Sequence, residues 1–264
     1  MTPALLLLAA APGAAPQRIV SDNPCVDAIL AEVADPRQIA GISPYSIDPR
    51  STSVDLRWAR ARRVVGPTAE EVLAAKPDLF ITGIPASPAT AIAVRRLGVR
   101  TLGVGVPQSI AESRAQVRTV ARAVGQVAAG EQLVARIDMA VATARSHRRP
   151  VPALIWGGGG LVPGEGSLAD EMLRVGGFTS GGARYGMRGW GTLPLETVLL
   201  RPPRVLLSPL GGDGSPRALS LRGRVVARLG RTTTIKDFPD ALMFCGGPTI
   251  VRALDRLAVV RQSL

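Results

Sequence analysis

Residues 69–80 read AEEVLAAKPDLF, and residues 195–206 read LETVLLRPPRVL. At one constant offset Glu70 falls on Glu196, Val72 on Val198, Leu73 on Leu199 and Pro77 on Pro203. Each copy passes from an acidic residue through a short apolar helix and a proline into an apolar strand. Carboxylates in a first turn suit the positive end of a helix dipole. The proline ends the helix, because it forces the residue before it toward extended backbone. A chain that makes this unit once in each half is expected to fold as two similar α/β lobes with a cleft between them. Capture of a ligand in that cleft is the first functional expectation.

Working outward, the same rhythm continues. Arg18–Ser21 reads as a buried strand, followed by the loop Asn23-Pro24-Cys25 and a helical pattern from Val26 to Ala34. A second strand, Gln38–Ser43, opens into the polar loop Pro44-Tyr45-Ser46. Beyond the repeat strand, a helix near 88–97 leads to a strand over Val99–Val104. Strands and helices alternating at this length predict a parallel, doubly wound sheet. From Ser109 to Arg145 there is no strand signal, only Ile110, Val117, Val120, Val124, Val127, Leu133 and Ile137 at helical spacing. This predicts one long connecting helix, with a break possible at Gly125 or Gly130. The βα rhythm resumes with strands at Ala153–Trp156 and Ala241–Phe244, a helix near 167–175, the second repeat unit and a final helix. The expected fold class is therefore α/β: two doubly wound parallel-sheet lobes joined by one long helix. The expected organisation is a signal segment at 1–16, an N-terminal lobe at 17–107, the connecting helix at 108–149 and a C-terminal lobe at 150–264.

Composition narrows the function classes. The 264 residues carry 32 basic and 20 acidic side chains, for a net charge of +12. All the basic residues except Lys76 and Lys236 are arginine, and they are scattered apart from the run Arg145-Ser146-His147-Arg148-Arg149. No nucleic-acid recognition motif accompanies the charge, so no nucleic-acid partner is expected. The opening MTPALLLLAAAPGAAP is shorter than the roughly 20 residues a membrane-spanning helix needs. It fits the apolar part of a secretory signal, although no basic residue follows Met1 and Pro16 sits badly beside a cut after Ala15. Export is the expectation.

Ligands of doubly wound sheets meet the loops at the carboxyl ends of the strands. Here those loops are Ser21–Cys25, Ser43–Ser46, Gly83–Ser87, Trp156–Gly160 and Cys245–Gly247. Only 3% of the chain is aromatic, so Tyr45, Trp156 and Trp190 near such loops are informative. Two cysteines, Cys25 and Cys245, suit an exported protein with one disulfide, and two separate thiols fit the sequence equally. An enzyme is the alternative from another class. Gly157–Gly160 follows a strand, but no Lys-Ser/Thr or Gly-x-Gly-x-x-Gly spacing goes with it. The single histidine, His147, lies in the basic run, which leaves no nucleophile–histidine–acid set and no metal-ligating set.

The chain over residues 17–260 resembles the periplasmic binding proteins that serve metal-chelate ABC importers, most closely their cobalamin-binding branch. The resemblance rests on Gly41-Ile42-Ser43-Pro44-Tyr45-Ser46, on Ala69–Asp78 with its Lys-Pro-Asp ending, and on Pro163-Gly164-Glu165-Gly166-Ser167-Leu168 followed by Val175-Gly176-Gly177. Trp190 stands six residues before Glu196, in the place of a cleft tryptophan, and Trp156 where the branch carries an aromatic. The resemblance implies a non-enzymatic, monomeric, periplasmic protein without an intrinsic cofactor or metal. It would capture a metal chelate, cobalamin first, and deliver it to a membrane permease and its ATPase. It implies ligand contacts from Tyr45, Trp156, Trp190, Cys25 and Gly83, and permease docking through Glu70 and Glu196. Gly83 stands where the cobalamin branch often carries another tryptophan, which leaves room for an iron–siderophore or heme. A flat macrocycle is held by aromatic faces and apolar edges with a few orienting polar groups, which suits these residue types.

Overall fold

The computed structural model describes residues 15–49, 51–83, 88–146, 148–209, 228–229 and 232–264. Residues 1–14 of the expected signal segment 1–16, the stretch 84–87 after Gly83, and His147 lie outside the described residues. The N-terminal lobe runs β1 (Ile19–Ser21), α1 (Pro24–Val33), β2 (Ile39–Gly41), α2 (Leu56–Arg60), α3 (Ala69–Ala74), β3 (Leu79–Gly83), α4 (Pro88–Arg96) and β4 (Arg100–Val104). Its strands pair in parallel in the order β2-β1-β3-β4. Two helices follow, α5 (Ile110–Ala123) and α6 (Val127–Ala144). The C-terminal lobe contains β5 (Val151–Ile155), β6 (Leu161–Pro163), α7 (Leu168–Val175), β7 (Phe178–Ser180), α8 (Gly181–Arg184), β8 (Trp190–Thr192), α9 (Leu195–Leu200), β9 (Val205–Ser208), β10 (Thr234–Asp237) and α10 (Pro248–Gln262). Its parallel sheet has the order β10-β9-β5-β7, and β6 and β8 form a separate antiparallel ribbon.

The sequence repeat is α3–β3 in one lobe and α9–β9 in the other. Both strands are interior to their sheets: β3 lies between β1 and β4, and β9 between β5 and β10. Strands flanked on both sides and covered on both faces need near-continuous apolar sequence, and every residue of β3 and β9 is buried. The repeated valines, Val72 and Val198, are fully buried under their helices.

The connection between the lobes differs from the single helix expected. It breaks at Gly125, whose φ of 76° is a left-handed conformation that glycine adopts without a Cβ penalty. The chain turns back there, and α5 and α6 pack together, with α6 as the long joining helix. Gly130 permits the close approach, since a Cβ there would collide with the Ala121 side chain. Arg118–Glu131 at 2.8 Å and Arg114–Asp138 pair along the seam. The strand expected at Ala241–Phe244 is also absent. Asp240–Leu242 is a 3₁₀ turn, and the strand beside β9 is Thr234–Asp237. Pro239 cannot donate to a ladder, so pairing stops before the apolar run begins.

One apolar cluster runs through both lobes, from Ile19 and Leu79 through Val117, Leu133 and Ile137 to Val205, Ile250 and Leu257. Smaller clusters cover the outer faces, around Val72 and Phe80 in one lobe and Leu154 and Leu206 in the other. The shared core joins the lobes behind the strand ends.

Candidate functional site

α1 starts at the carboxyl end of β1, and a disulfide ties the segment that leads into α10 to its first turn. Asn23 caps α1, its side-chain oxygen accepting the Cys25 and Val26 amides at 2.8 and 3.2 Å. This fixes Cys25 at the cleft end of α1. Cys245 sits just before α10, and a disulfide joins it to Cys25. Of the two arrangements open to the sequence, the structure has the bridge between lobes. Other links run beside it. The Ser53 hydroxyl donates to the Ala241 carbonyl at 2.6 Å, and Arg252 donates to the Ser53 carbonyl. The Gly247 amide donates to the buried Ser113 hydroxyl at 2.7 Å, and the Ile110 amide to the Glu171 carboxylate at 2.7 Å.

The aromatic residues divide into two groups. Tyr45 is 58% exposed, at the crest of a 3₁₀ turn (Pro44–Ile47) that follows β2. Trp190 is half-buried on β8 and faces Phe244, ring centroids 6.2 Å apart and tilted by 33°. Phe244 is 36% exposed, and its carbonyl oxygen lies 3.7 Å from the Cys25 sulfur. The pair Trp190–Phe244 therefore stands beside the disulfide as an apolar wall. Trp156 is different: it is only 8% exposed, packs into the C-lobe cluster with Leu193 and Val198, and donates its indole N–H to the Leu193 carbonyl at 3.3 Å. Its ring is thus mostly enclosed by the C-lobe cluster, with the indole N–H satisfied, as buried tryptophans usually are. Trp58 carries the Arg62 guanidinium 3.7 Å above its ring. Gly83 is buried as the last residue of β3.

The Tyr45 turn rests on a residue the sequence reading passed over. Asp27, wholly buried, accepts the Ser43 amide at 2.8 Å and the Ser46 hydroxyl at 2.6 Å on its Oδ2. An acid in the first turn of a helix reads as a dipole partner, so its inward direction had no sequence signal beyond its apolar neighbours Val26 and Ala28. Close by, the Thr82 hydroxyl donates to Asp22 at 2.9 Å. Burial raises the pKa of both acids, to about 7 for Asp27. Phe244 was missed because the run around it looked like a strand.

The glycine loop after β5 is occupied by its own turn. Gly157 donates to the Leu161 carbonyl at 2.8 Å, Gly160 to Gly157 at 3.2 Å, and the Gly158 amide points at the Asp240 carboxylate at 3.4 Å. Amides facing a carboxylate do not make a phosphate cradle. Among the described residues no cluster of three or more His, Cys, Asp or Glu could hold a metal ion. A cavity of about 270 Å³ lies away from the strand ends, between α1, α6 and α10, next to Trp58 and Arg252.

Glu70 and Glu196 are both exposed in the first turns of α3 and α9. Each helix leads by a short connection into the start of an inner strand, so its first turn points back toward the strand ends. Neither glutamate makes an ion pair among the described residues. Glu71 is instead drawn into the helix start, accepting the Thr68 hydroxyl at 2.7 Å while its amide donates back at 3.3 Å. Leu200, one turn after Glu196, is 82% exposed.

Residues 19–209 match the family model described as periplasmic binding protein. No curated protein sequence matches the chain. Among solved structures it is similar to the periplasmic heme-binding protein RhuT from Roseiflexus sp. RS-1, at 24% identity and a TM-score of 0.74, covering 93% of this chain and 99% of that one. The periplasmic heme-binding protein HutB of Vibrio cholerae is 14% identical with a TM-score of 0.75, covering 92% and 98%. The periplasmic vitamin B12-binding protein BtuF of Vibrio cholerae is 15% identical with a TM-score of 0.71, covering 94% and 97%. At these identities the likenesses establish the fold.

Proposed function

Because the chain belongs to the periplasmic binding protein family, we propose that it is the substrate-binding component of an ABC importer for a metal chelate, cobalamin first. The ligand sits between the lobes, with Tyr45 on one side and the Trp190–Phe244 pair on the other, above the Cys25–Cys245 bridge. Gly83 leaves space at the N-lobe edge, and Trp156 supports the C-lobe wall from below. The observation that supports this reading is the accessible aromatic surface on both lobes, Tyr45 after β2 on one side and the Trp190–Phe244 pair beside the inter-lobe disulfide on the other; doubly wound folds take their ligands in this region, outside the strand ends. The protein does no chemistry on its cargo.

Glu70 and Glu196 are the docking anchors for the permease. The repeat places one on each lobe, as a two-fold pair of permease subunits requires. Delivery is in the periplasm, from a monomer, with the permease and its ATPase at the inner membrane. Among the described residues no helix is long and apolar enough to cross a membrane.

Heme is the second reading, with an iron–siderophore behind it. Two of the three similar structures named above are heme-binding proteins, and Gly83 stands where a tryptophan would favour a corrin. The deciding experiment is a tryptophan-fluorescence titration with cyanocobalamin, hemin and a ferric siderophore, backed by calorimetry. Saturable one-to-one binding of cyanocobalamin at micromolar or tighter supports the first assignment. Binding of hemin or the siderophore alone moves the ligand and keeps the role; binding of none of the three sinks the chelate assignment.

A further inference from the structure

Both oxygens of a buried carboxylate normally find donors, because an unpaired polar atom in the core is costly. Asp27 breaks this pattern in an orderly way. Its Oδ2 takes two donors, the Ser43 amide and the Ser46 hydroxyl, while its Oδ1 has no partner among the described residues. The two donors bracket Tyr45, and the Ser43 hydroxyl in turn accepts the Tyr45 amide at 3.2 Å. One oxygen thus rivets the whole turn to α1, and the other is left over.

Among the described residues, the charged surroundings of Asp27 offer no cation. Asp22, at the end of β1, is the titratable group facing Asp27, and its own Oδ1 is also unpartnered. From the Tyr45 turn come only the Ser43 amide and the Ser46 hydroxyl. From β1 comes the Ser21 hydroxyl, which lies close enough to Asp27 to lower its pKa but makes its hydrogen bond to the Asn23 carbonyl, at 3.2 Å. From the helices packed on α1, Arg136 of α6 pairs with Glu32 at 2.6 Å and Arg252 of α10 engages the Ser53 carbonyl; on α5, Ser113 is taken by the Gly247 amide. The neighbouring disulfide does not titrate.

We propose that Asp27 is the positioning residue for the Tyr45 wall of the cleft, and that a proton on its free oxygen keeps that wall closed. The step rests on the reading of Tyr45 as a cleft residue; the clamp itself does not depend on which ligand is bound. Burial is the largest influence on Asp27 and pushes its pKa up to about 7; the Ser46 and Ser21 hydroxyls and the Ser43 amide oppose this, and Asp22 adds to it. Linkage gives the sign. The closed turn holds Asp27 with a raised pKa, and an opened turn returns it to the ordinary carboxylate range near 4. Protonation therefore favours the closed form, and losing the proton as pH rises through about 7 favours opening. Between pH 6 and pH 8 this makes opening about tenfold easier.

The test is hydrogen exchange by mass spectrometry on the peptide spanning residues 43–46, in oxidised full-length protein and corrected for intrinsic rates. Wild type should lose about tenfold in protection from pH 6 to pH 8. Asp27→Asn, which keeps an acceptor at the Oδ2 position and cannot ionise, should be equally protected at both. Ser46→Ala, which removes a donor to the carboxylate, should move the midpoint to higher pH. Equal wild-type protection at both pH values overturns the proposal, as does an Asn variant that keeps the wild-type dependence. A parallel titration with cyanocobalamin and hemin at the two pH values separates the ideas. Exchange that follows pH while neither ligand binds sustains the clamp and removes the ligand assignment. Ligand binding with flat exchange does the reverse.

Discussion

Removing the Cys25–Cys245 bridge with the double variant Cys25→Ser, Cys245→Ser measures how far it restrains the unfolded chain. The bridge spans 220 residues, most of the protein. In the chain-entropy treatment a loop of that length stabilises the fold by about 5 kcal/mol at 25 °C. The folded form should survive the change, because the Ser53–Ala241, Gly247–Ser113 and Ile110–Glu171 hydrogen bonds and the shared apolar core still join the lobes. Guanidinium chloride unfolding followed by far-ultraviolet circular dichroism reads the loss directly. With a slope of about 5 kcal/mol/M for a chain of this size, the midpoint should fall by about 1 M. Reduced wild type should match the variant. A midpoint shift under about 0.2 M would refute the reasoning, since a restraint on nearly the whole unfolded chain would then count for nothing.

Trp190→Ala should weaken binding of the preferred chelate at least tenfold, or about 1.4 kcal/mol, by calorimetry, and Phe244→Ala should weaken it by a smaller factor through loss of the ring pair. Glu70→Ala with Glu196→Ala should leave ligand affinity and stability within about 0.5 kcal/mol of wild type while lowering uptake by cells that depend on the importer; normal uptake would remove the docking role. Gly130→Leu should destabilise by about 1–3 kcal/mol in the same denaturant assay, because the added side chain forces α5 and α6 apart. Asp27 also bears on global stability. With its folded pKa raised to about 7, its stabilising contribution is present below about pH 4 and is lost as pH rises through about 7. Asp27→Asn should remove that part of the pH profile.

The two lobes were legible because the repeat is a burial pattern as well as a word pattern. Val72 and Val198 must be apolar to cover inner strands, and Glu70 and Glu196 are free to be acidic because they face out. The break at Gly125 was a choice the local sequence left open. Apolar residues at helical spacing fit one helix or two packed antiparallel, and only the tertiary seam along Gly130 and Ala121 decides. Trp156 shows a second limit. Its position at a strand end is correct, but whether its side chain turns toward the cleft or into the core depends on Leu193, thirty-seven residues further on. Phe244 and Asp27 were hidden for the opposite reason, since each belongs locally to a pattern with an ordinary explanation.

The packing of α10 has a consequence for the order in which the molecule is made. The N-terminal sheet is complete in sequence by Val104 and the joining helix by Ala144, yet the core they share is closed only by Ile250, Ala253, Leu254 and Leu257. A chain that emerges from its N-terminus first therefore carries an open apolar groove along α1 and α6, and an unpaired Cys25, until its last segment arrives. During that interval the groove is a surface for aggregation or for a chaperone. The helix made last fills the groove and brings Cys245 to its partner, so the core closes and the two cysteines first meet in the same step.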